Sequence, residues 1–315
     1  MKALVTGAAG FIGSHLAEAL LDRGAEVMAI DSFTDYYPRS IKERNLLALR
    51  TRHGFSLVEA SIQAADLKSL LRGVTHVFHL AAQAGVRKSW GRDFQVYTAN
   101  NIEATQVLLE ACASAPLERL VYASSSSVYG DDVPLPMRED ALPHPVSPYG
   151  VSKLAAEQLC YLYHVSHGVP AVSLRYFTVY GPRQRPDMGF HRFLRAAARS
   201  EPIELYGDGE QTRDFTFVQD AVGATIAAGE RGVPGRVYNI GGGSRISVNE
   251  VLAVVAEVVG RPVRMSPAGK QKGDMRDTFA DTTLARADLG FAPRVRLADG
   301  LAAEYDWLAA TPELL

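Results

Sequence analysis

Short hydrophobic runs alternate with amphipathic segments along the first half of the chain. Each apolar run is bounded by polar or glycine-containing turns, which is typical of strands buried on both faces of a parallel sheet. The pattern predicts six strands, over Lys2–Thr6, Glu26–Ile30, Ser56–Glu59, His76–Leu80, Arg119–Ala123 and Ala171–Arg175.

The segments between these runs carry apolar residues at helical spacing. They predict helices over Ile12–Leu21, Leu67–Leu71, Asn101–Ala113 and Tyr149–His167. Parallel strands that alternate with helices are joined by right-handed crossovers, which place helices on both faces of the sheet. The first half therefore predicts an α/β fold with a doubly wound parallel sheet, the Rossmann arrangement.

The pattern becomes irregular after Arg175, where glycine and proline turns are frequent. We expect one domain over residues 1–178 and a smaller, irregular α/β domain over residues 179–315. A helical pattern over Val218–Glu230 and a strand pattern over Arg236–Ile240 interrupt this second part. Segments around 215–243 are therefore predicted to pack back on the first domain.

Composition narrows the function classes. The 315 residues include 33 basic and 35 acidic side chains, a formal net charge of −2, and 47% are hydrophobic. Such a balance argues against nucleic-acid or membrane-surface binding and for a sizeable core. Cys112 and Cys160 are far apart in the sequence, so we expect no disulfide. The histidine pairs His76/His79 and His164/His167 have spacings that a metal could use, but neither has a third ligand, so we expect no metal site. No membrane-spanning or signal segment is recognisable, which predicts a soluble cytoplasmic protein.

A glycine-rich turn follows the first predicted strand. Gly7, Gly10 and Gly13 lie between this strand and the first helix, where glycines let the backbone approach a pyrophosphate at a helix N-terminus. Asp31 ends the second strand at the separation expected of a carboxylate that binds ribose. Ser32 follows it in place of an arginine, which favours NAD over NADP. No glycine-lysine-serine/threonine sequence follows, which excludes a P-loop.

A second candidate site combines Tyr149, Lys153 and a serine cluster. Tyrosine and lysine four residues apart lie on one helix face, so we expect the ammonium to lower the pKa of the phenol and make it a general base. Ser125 ends the fifth strand, at the edge of the sheet where ligands bind in such folds. We interpret Ser125, Tyr149 and Lys153 as catalytic.

Together these motifs resemble the extended short-chain dehydrogenases/reductases, and most closely their nucleotide-sugar 4-epimerase branch. The resemblance also includes His79-Leu80-Ala81-Ala82, Val128-Tyr129-Gly130 and several motifs of the second half. It implies that residues 1–178 bind NAD and that residues 179–315 bind a UDP-sugar substrate. It also implies a homodimer formed through the helices over 101–113 and 149–167. It assigns the cofactor to Gly7, Gly10, Phe11, Ile12, Gly13, Asp31, Ser32, Ser61, Ile62, Leu80, Ala81, Ala82, Asn100, Tyr149, Lys153 and Tyr176. Ser61 departs from the family pattern, which usually has an adenine-binding aspartate there.

The residues after Ser125 discriminate among the reactions of this branch. The 4,6-dehydratases carry an aspartate and a glutamate where this chain has Ser126 and Ser127, and the decarboxylating relatives carry a glutamate at the second position. Elimination needs an acid and a base, which serines do not provide. The resemblance therefore implies epimerisation at C4 through a 4-keto sugar.

The substrate is predicted from finer features. Runs around Ser127, Thr178 and Arg185 resemble UDP-glucuronate 4-epimerases, and hydroxyls of Ser126, Ser127 and Thr178 suit a C5 carboxylate. UDP-glucose and UDP-N-acetylhexosamine remain alternatives because hydroxyls also suit a neutral sugar, and a sugar-nucleotide reductase is a further one. The residues expected to bind substrate are Gln83, Ser126, Ser127, Thr178, Arg185, Arg213 and Arg276.

Overall fold

The computed structural model describes residues 1–269 and 272–315. A seven-stranded sheet forms its centre, with the strand order β11-β6-β5-β4-β1-β2-β3 and every neighbouring pair parallel. The strands are β1 (Lys2–Thr6), β2 (Glu26–Asp31), β3 (Phe55–Glu59), β4 (His76–His79), β5 (Arg119–Ser125), β6 (Ala171–Tyr176), β7 (Val179–Tyr180), β8 (Ile203–Tyr206), β9 (Thr212–Asp214), β10 (Thr216–Phe217), β11 (Val237–Ile240), β12 (Arg245–Ser247) and β13 (Met265–Ala268).

Helices cover both faces of this sheet. They are α1 (Phe11–Asp22), α2 (Arg39–Leu46), α3 (Leu67–Leu70), α4 (Phe94–Tyr97), α5 (Ala104–Ala113), α6 (Pro148–His167), α7 (Gly189–Ala198), α8 (Val218–Arg231), α9 (Val248–Val259), α10 (Thr283–Leu289) and α11 (Leu297–Ala309). The predicted doubly wound α/β fold is confirmed. All seven predicted strands and all five predicted helices lie within a residue or two of their expected bounds, with one exception.

The exception lies before α5. The helical pattern predicted from Asn101 onward begins in the structure with a π-helix over Thr98–Glu103, and the α-helix starts only at Ala104. The side chain of Asn101 in this wider turn bonds both the N–H and the carbonyl of Gln83. Widened turns of this kind occur at functional sites because they redirect side chains.

Two cores flank the sheet. One face packs side chains of α1 and α8, such as Leu16 and Ile226, and the other packs α5 and α6. The thiols of Cys112 and Cys160 are buried in the second core, as the apolar pattern around them predicts.

The second half of the chain contributes to the same sheet. β11 pairs with β6 at the sheet edge, and α8 packs over the α1 face. A separate aromatic and aliphatic core joins α7, α9 and α11, where Tyr180 contacts Phe190 and Phe217. The predicted division at residues 178 and 179 remains a prediction.

Candidate active site

A cavity of about 410 Å³ opens at the carboxyl ends of the central strands. This is the edge at which doubly wound sheets bind ligands, because crossover loops leave a crevice there. The cavity is lined by Ser125, by all sixteen residues predicted to contact the cofactor, and by Gln83, Ser126, Ser127, Thr178 and Arg185. Arg213 and Arg276 are not among its lining residues.

The turn from β1 into α1 depends on its glycines. Gly7 has a φ of +72°, and a Cβ there would lie 2.8 Å from the amide nitrogen of Ala81. A Cβ on Gly13 would lie 2.2 Å from the carbonyl oxygen of Gly7. Gly10 precedes α1 and supplies no side-chain cap, so the helix begins at the cavity with its first backbone N–H groups uncapped by a side chain. A pyrophosphate fits this cradle because helix N-termini favour anions.

Asp31 lies beside this turn and has two structural partners. Its carboxylate accepts the N–H of Ala9 at 3.0 Å and that of Phe33 at 2.8 Å. The Lys42 ammonium lies 3.9 Å from Asp31 and donates to the carbonyl oxygen of Thr34. The carboxylate therefore organises the glycine turn and also faces the cavity, where a ribose hydroxyl would meet it.

Tyr149 lies in the first turn of α6. Ser147 caps this helix by accepting the N–H of Gly150, and Pro148 occupies the first helical position, where a missing N–H costs nothing. A Cβ on Gly150 would lie 2.3 Å from the carbonyl oxygen of Ser127, so this glycine brings the helix start against the end of β5. The phenol of Tyr149 is thereby held beside Ser125.

The electrostatics of the Tyr149 and Lys153 pair differ from the expectation. Enclosure in the cavity raises the pKa of Tyr149, while the hydrogen bond with Ser125 and the charge of Arg185 lower it. Burial lowers the pKa of Lys153 to about 7, partly offset by Cys160 and Glu157. Its ammonium lies 4.5 Å from the ring centre of Tyr122. The positive charge that acts on the phenol here is that of Arg185, which was predicted to bind substrate and not to act on Tyr149.

The serine cluster divides into two groups. Ser124 donates to the buried Glu157 carboxylate at 2.6 Å and so stabilises the packing of β5 against α6. Ser125 accepts the N–H of Ser127 at 3.1 Å, which bends the chain into a 3-10 turn over Ser126–Val128. This turn presents the hydroxyls of Ser126 and Ser127 to the cavity.

Arg185 enters the cavity from the loop after β7. Asp187 holds its guanidinium through two hydrogen bonds, of 3.0 and 3.1 Å, and Tyr36 donates to the same carboxylate at 3.1 Å. The guanidinium also lies 5.8 Å from the Tyr36 ring centre. A two-point pairing of this kind fixes the orientation of the arginine, which leaves its remaining donors available to an anion.

Comparison with known proteins agrees with this geometry. Residues 3–241 match the NAD dependent epimerase/dehydratase family. The chain belongs to this family. It is 46% identical over 312 residues to the uncharacterized UDP-glucose epimerase YtcB of Bacillus subtilis (strain 168), with 98% of each chain covered. It is 36% identical to the UDP-glucuronate 4-epimerase of Thermodesulfobacterium geofontis (strain OPF15), covering 99% of this chain and 97% of that one.

A solved structure of the family is also closely similar. The UDP-glucuronic acid 4-epimerase of Bacillus cereus, in complex with UDP-glucuronic acid and NAD, superposes with a TM-score of 0.96. The identity is 44%, and the comparison covers 99% of this chain and 100% of that one. The expected resemblance to the extended dehydrogenases/reductases is therefore confirmed.

Arg213 and Arg276 lie together in the second half of this epimerase/dehydratase family member. Arg213 donates to the carbonyl oxygens of Thr212 and Arg276, at 2.9 and 3.0 Å. Arg276 is exposed and pairs with Asp208 at 3.0 Å. The structure brings the two arginines together but places them outside the cavity lining.

Several residues that line the cavity were not predicted from the sequence. Tyr36, Tyr37 and Lys42 reach the cavity from the segment after β2, and Met188 reaches it from the segment after Arg185. An available signal was the tyrosine pair in the loop that follows the Asp31 strand, since aromatic residues in a loop at the binding edge indicate a ligand contact. Lys42 had no such signal, because its partners Asp31 and Thr34 are identified only by the fold.

Two features are absent from the part of the chain that the structure describes. Within residues 1–269 and 272–315, no group of histidine, cysteine, aspartate and glutamate side chains is arranged to hold a metal ion. Over the same ranges, no helix combines the length and apolarity that a membrane crossing requires.

Proposed function

We propose that this chain is an NAD-dependent 4-epimerase that converts UDP-glucuronate to UDP-galacturonate. The observation that carries this proposal is the chemistry of the cavity wall. Among the described residues, Asp31 is the only carboxylate that lines the cavity, and it lies at the glycine turn. Tyr149 instead faces Ser125, with Ser126, Ser127 and Thr178 lining the same cavity. This wall has a base for a hydroxyl proton and lacks the acid and base that elimination of water needs.

The relatives support the cofactor and the substrate. The Bacillus cereus structure holds UDP-glucuronic acid and NAD at 44% identity, and the Thermodesulfobacterium relative carries the same activity in its name. The cradle of Gly7, Gly10 and Gly13 suits the NAD pyrophosphate, and Asp31 suits an adenosine ribose while its charge disfavours a 2′-phosphate. NAD, when bound, supplies the hydride acceptor and donor for C4.

The protein's own side chains carry out the proton transfer at the C4 hydroxyl. Tyr149 accepts the proton of the C4 hydroxyl, and Ser125 hydrogen bonds to the same oxygen. The positive charge of Arg185 favours the phenolate, because a nearby cation stabilises the ionised form. After the 4-keto sugar has turned within the cavity, Tyr149 returns the proton to the oxygen on the other face.

The hydroxyls of Ser126, Ser127 and Thr178, called here the hydroxyl wall, protect the 4-keto acid from losing CO2. A carboxylate β to a ketone loses CO2 when its C–C bond aligns with the carbonyl π system. Hydrogen bonds from Ser126, Ser127 and Thr178 to the carboxylate hold this bond out of alignment. Arg185 adds charge and, because Asp187 fixes its guanidinium, it adds orientation as well.

UDP-glucose is the second candidate substrate. The Bacillus subtilis relative, at 46% identity, is named a UDP-glucose epimerase. MoeE5, which is 43% identical with a TM-score of 0.89, has been crystallised with UDP-glucuronic acid and with UDP-glucose. The serine and threonine hydroxyls that suit a carboxylate also suit a 6-hydroxyl.

The proposal extends to the second domain and the assembly. We infer that residues 179–315 bind the nucleotide, with Arg213 and Arg276 near its diphosphate, and that the protein acts in the cytoplasm as a homodimer. Support for the dimer comes from apolar side chains on α6 that face solvent in the single chain. Three of these are Tyr161, Leu162 and Val165, which are 54%, 49% and 57% exposed.

The test is a turnover experiment without added cofactor. The purified protein is incubated separately with UDP-glucuronate and UDP-glucose, and the anomeric protons are followed by NMR. Conversion of the acid to UDP-galacturonate, with the hexose nearly inert, is the expected result. Conversion of UDP-glucose alone would overturn the role of the hydroxyl wall, and turnover that requires added cofactor in stoichiometric amounts would indicate a reductase.

A further inference from the structure

His79 is a buried histidine that the proposed reaction does not use. It ends β4, is 1% exposed, and bonds through both ring nitrogens. Nδ1 lies 2.8 Å from the hydroxyl of Thr6, the last residue of β1 before the glycine turn. Nε2 lies 2.9 Å from the hydroxyl of Thr105, in the first turn of α5. The imidazole therefore bridges two strand ends and a helix.

The partners of the two hydroxyls determine where the ring proton lies. The Thr6 oxygen accepts the N–H groups of Leu80 and Ala81, at 3.1 and 3.0 Å, so its own hydrogen is left to donate to Nδ1. The Thr105 hydroxyl donates to the carbonyl oxygen of Asn101 at 2.6 Å, so it is left to accept from Nε2. Both ends require the same tautomer, with the proton on Nε2.

Protonation of both nitrogens does not fit this arrangement. A hydrogen on Nδ1 would meet a Thr6 oxygen whose two lone pairs are already engaged. The ionisable groups that face the ring are the Tyr122 phenol, whose ring centre is 5.6 Å away, and the Lys153 ammonium. Burial, and to a smaller extent the charge of Lys153, lowers the pKa of His79 to about 3.

The chain of hydrogen bonds continues to the catalytic helix. The Asn101 amide donates to the Ser152 hydroxyl at 2.8 Å, and Ser152 donates to the carbonyl oxygen of Tyr149 at 2.8 Å. Every link from Thr6 to Ser152 is at least 99% buried, so water does not compete with these bonds. At one end of this series of hydrogen bonds, Thr6 binds the backbone of Leu80 and Ala81, which line the cofactor side of the cavity. At the other end, Ser152 binds the backbone at the start of α6.

We propose that His79, as the neutral tautomer protonated at Nε2, is a positioning residue that sets the spacing between the cofactor-binding strand ends and the helix that bears Tyr149. This role rests on the proposed epimerase function, because both the proton transfer and the redox step at C4 need that spacing. Displacements of about 1 Å at such a site lower rates by up to about a hundredfold.

The first test reads the tautomer without turnover. Protein with 15N-labelled histidine is studied by two-bond 1H–15N correlation, and the His79 signals are assigned by their absence in His79→Gln. We expect a protonated Nε2 and a bare Nδ1 that stay unchanged from about pH 5.5 to 8.5, a range that brackets the ordinary histidine pKa. A proton on Nδ1, or a titration within this range, would overturn the proposal.

The second test uses matched variants of the chain. Thr105→Val keeps the shape and removes the hydroxyl, whereas Thr105→Ser keeps the hydroxyl. We expect Thr105→Val and His79→Leu each to lower kcat about tenfold, while KM and NAD affinity stay within about twofold of the wild-type values. Thr105→Ser, which keeps the hydroxyl, should have the wild-type kcat. His53→Asn, at an exposed turn, is the control for histidine replacement. If His79→Leu does not fold, Thr105→Val decides the result.

The outcomes separate the two proposals. A wild-type protein that leaves both UDP-sugars unchanged would overturn the proposed function. An active wild-type protein whose Thr105→Val variant loses melting temperature but keeps its kcat would overturn only the positioning role of His79. A fall in kcat with unchanged KM, together with the expected tautomer, supports both.

Discussion

Glu157 and Arg175 form a buried ion pair, with 2.6 Å between the Oε1 and Nη2 atoms and both side chains at most 4% exposed. Glu157 lies one helical turn after Lys153, and Arg175 lies on β6 next to the cavity-lining residue Tyr176. Arg175 also donates to the carbonyl oxygen of Glu139 and lies 4.6 Å from the ring centre of Tyr129. The pair therefore fastens α6, which carries Tyr149, to the sheet.

Removing one charge of this pair is expected to destabilise the fold. Glu157→Gln leaves the Arg175 guanidinium without its buried counter-charge, which typically costs about 3–5 kcal/mol. Urea denaturation followed by circular dichroism measures the free energy of unfolding. Glu118→Gln is the control because the Glu118 side chain is 69% exposed, and it should change that free energy by no more than about 0.5 kcal/mol. A loss below about 1 kcal/mol in Glu157→Gln would contradict the importance of the pair.

Tyr149→Phe is expected to abolish turnover while leaving the fold intact. The phenol is the proton acceptor for the C4 hydroxyl, and general bases contribute about 10²–10⁴-fold to the rate. The change is measured as the rate of UDP-galacturonate formation by NMR, with NAD binding by calorimetry as a check on the site. Tyr305→Phe on α11 serves as the matched control. Retention of more than about a tenth of the wild-type rate by Tyr149→Phe would assign the base to another group.

Lys153 makes the stability of the cofactor-free protein depend on pH. Burial lowers its pKa in the folded state from 10.5 to about 7, so between these values the unfolded chain binds more protons than the folded one. The free energy of unfolding contributed by this group therefore rises as the pH rises from about 7 toward 10.

This dependence is isolated by comparison with Lys153→Met. The stability of the wild type relative to Lys153→Met should increase between about pH 6.5 and 9, measured by urea denaturation at each pH. Lys153→Arg, which retains its charge throughout this range, should show no such gain over Lys153→Met. A constant difference between wild type and Lys153→Met would mean that the lysine is not desolvated as the structure indicates.

Thr178→Val is expected to change the products made from UDP-glucuronate. Loss of the hydroxyl frees the carboxylate of the 4-keto acid to align with the ketone, so CO2 is lost and pentose by-product accumulates. The ratio of pentose to galacturonate is read by NMR, and Thr178→Ser, which keeps the hydroxyl, should preserve the wild-type ratio. An unchanged ratio in Thr178→Val would show that this hydroxyl does not restrain the carboxylate.

Local patterns predicted the elements that depend on local physics. The turn at Gly7 follows from a left-handed backbone conformation that residues with a side chain rarely adopt, and the sheet follows from apolar runs spaced by helices. The ends of parallel strands meet at one edge, which predicted Asp31 and Ser125 as cavity residues. Tyr149 and Lys153 were predicted from their four-residue spacing on one face of α6, and they line the same cavity. The π-helix over Thr98–Glu103 was not predicted, since it depends on the distant Gln83 backbone.

The sequence by itself determined the doubly wound α/β fold, its glycine cradle and the family to which the chain belongs. Only the tertiary structure decided which charges act on which groups: Arg185 on Tyr149, Lys42 beside Asp31, and Glu157 with Arg175. The physical reason is the range of the interactions. Backbone conformation and apolar periodicity are properties of neighbouring residues, whereas desolvation and ion pairing depend on residues that are brought together only when the chain has folded.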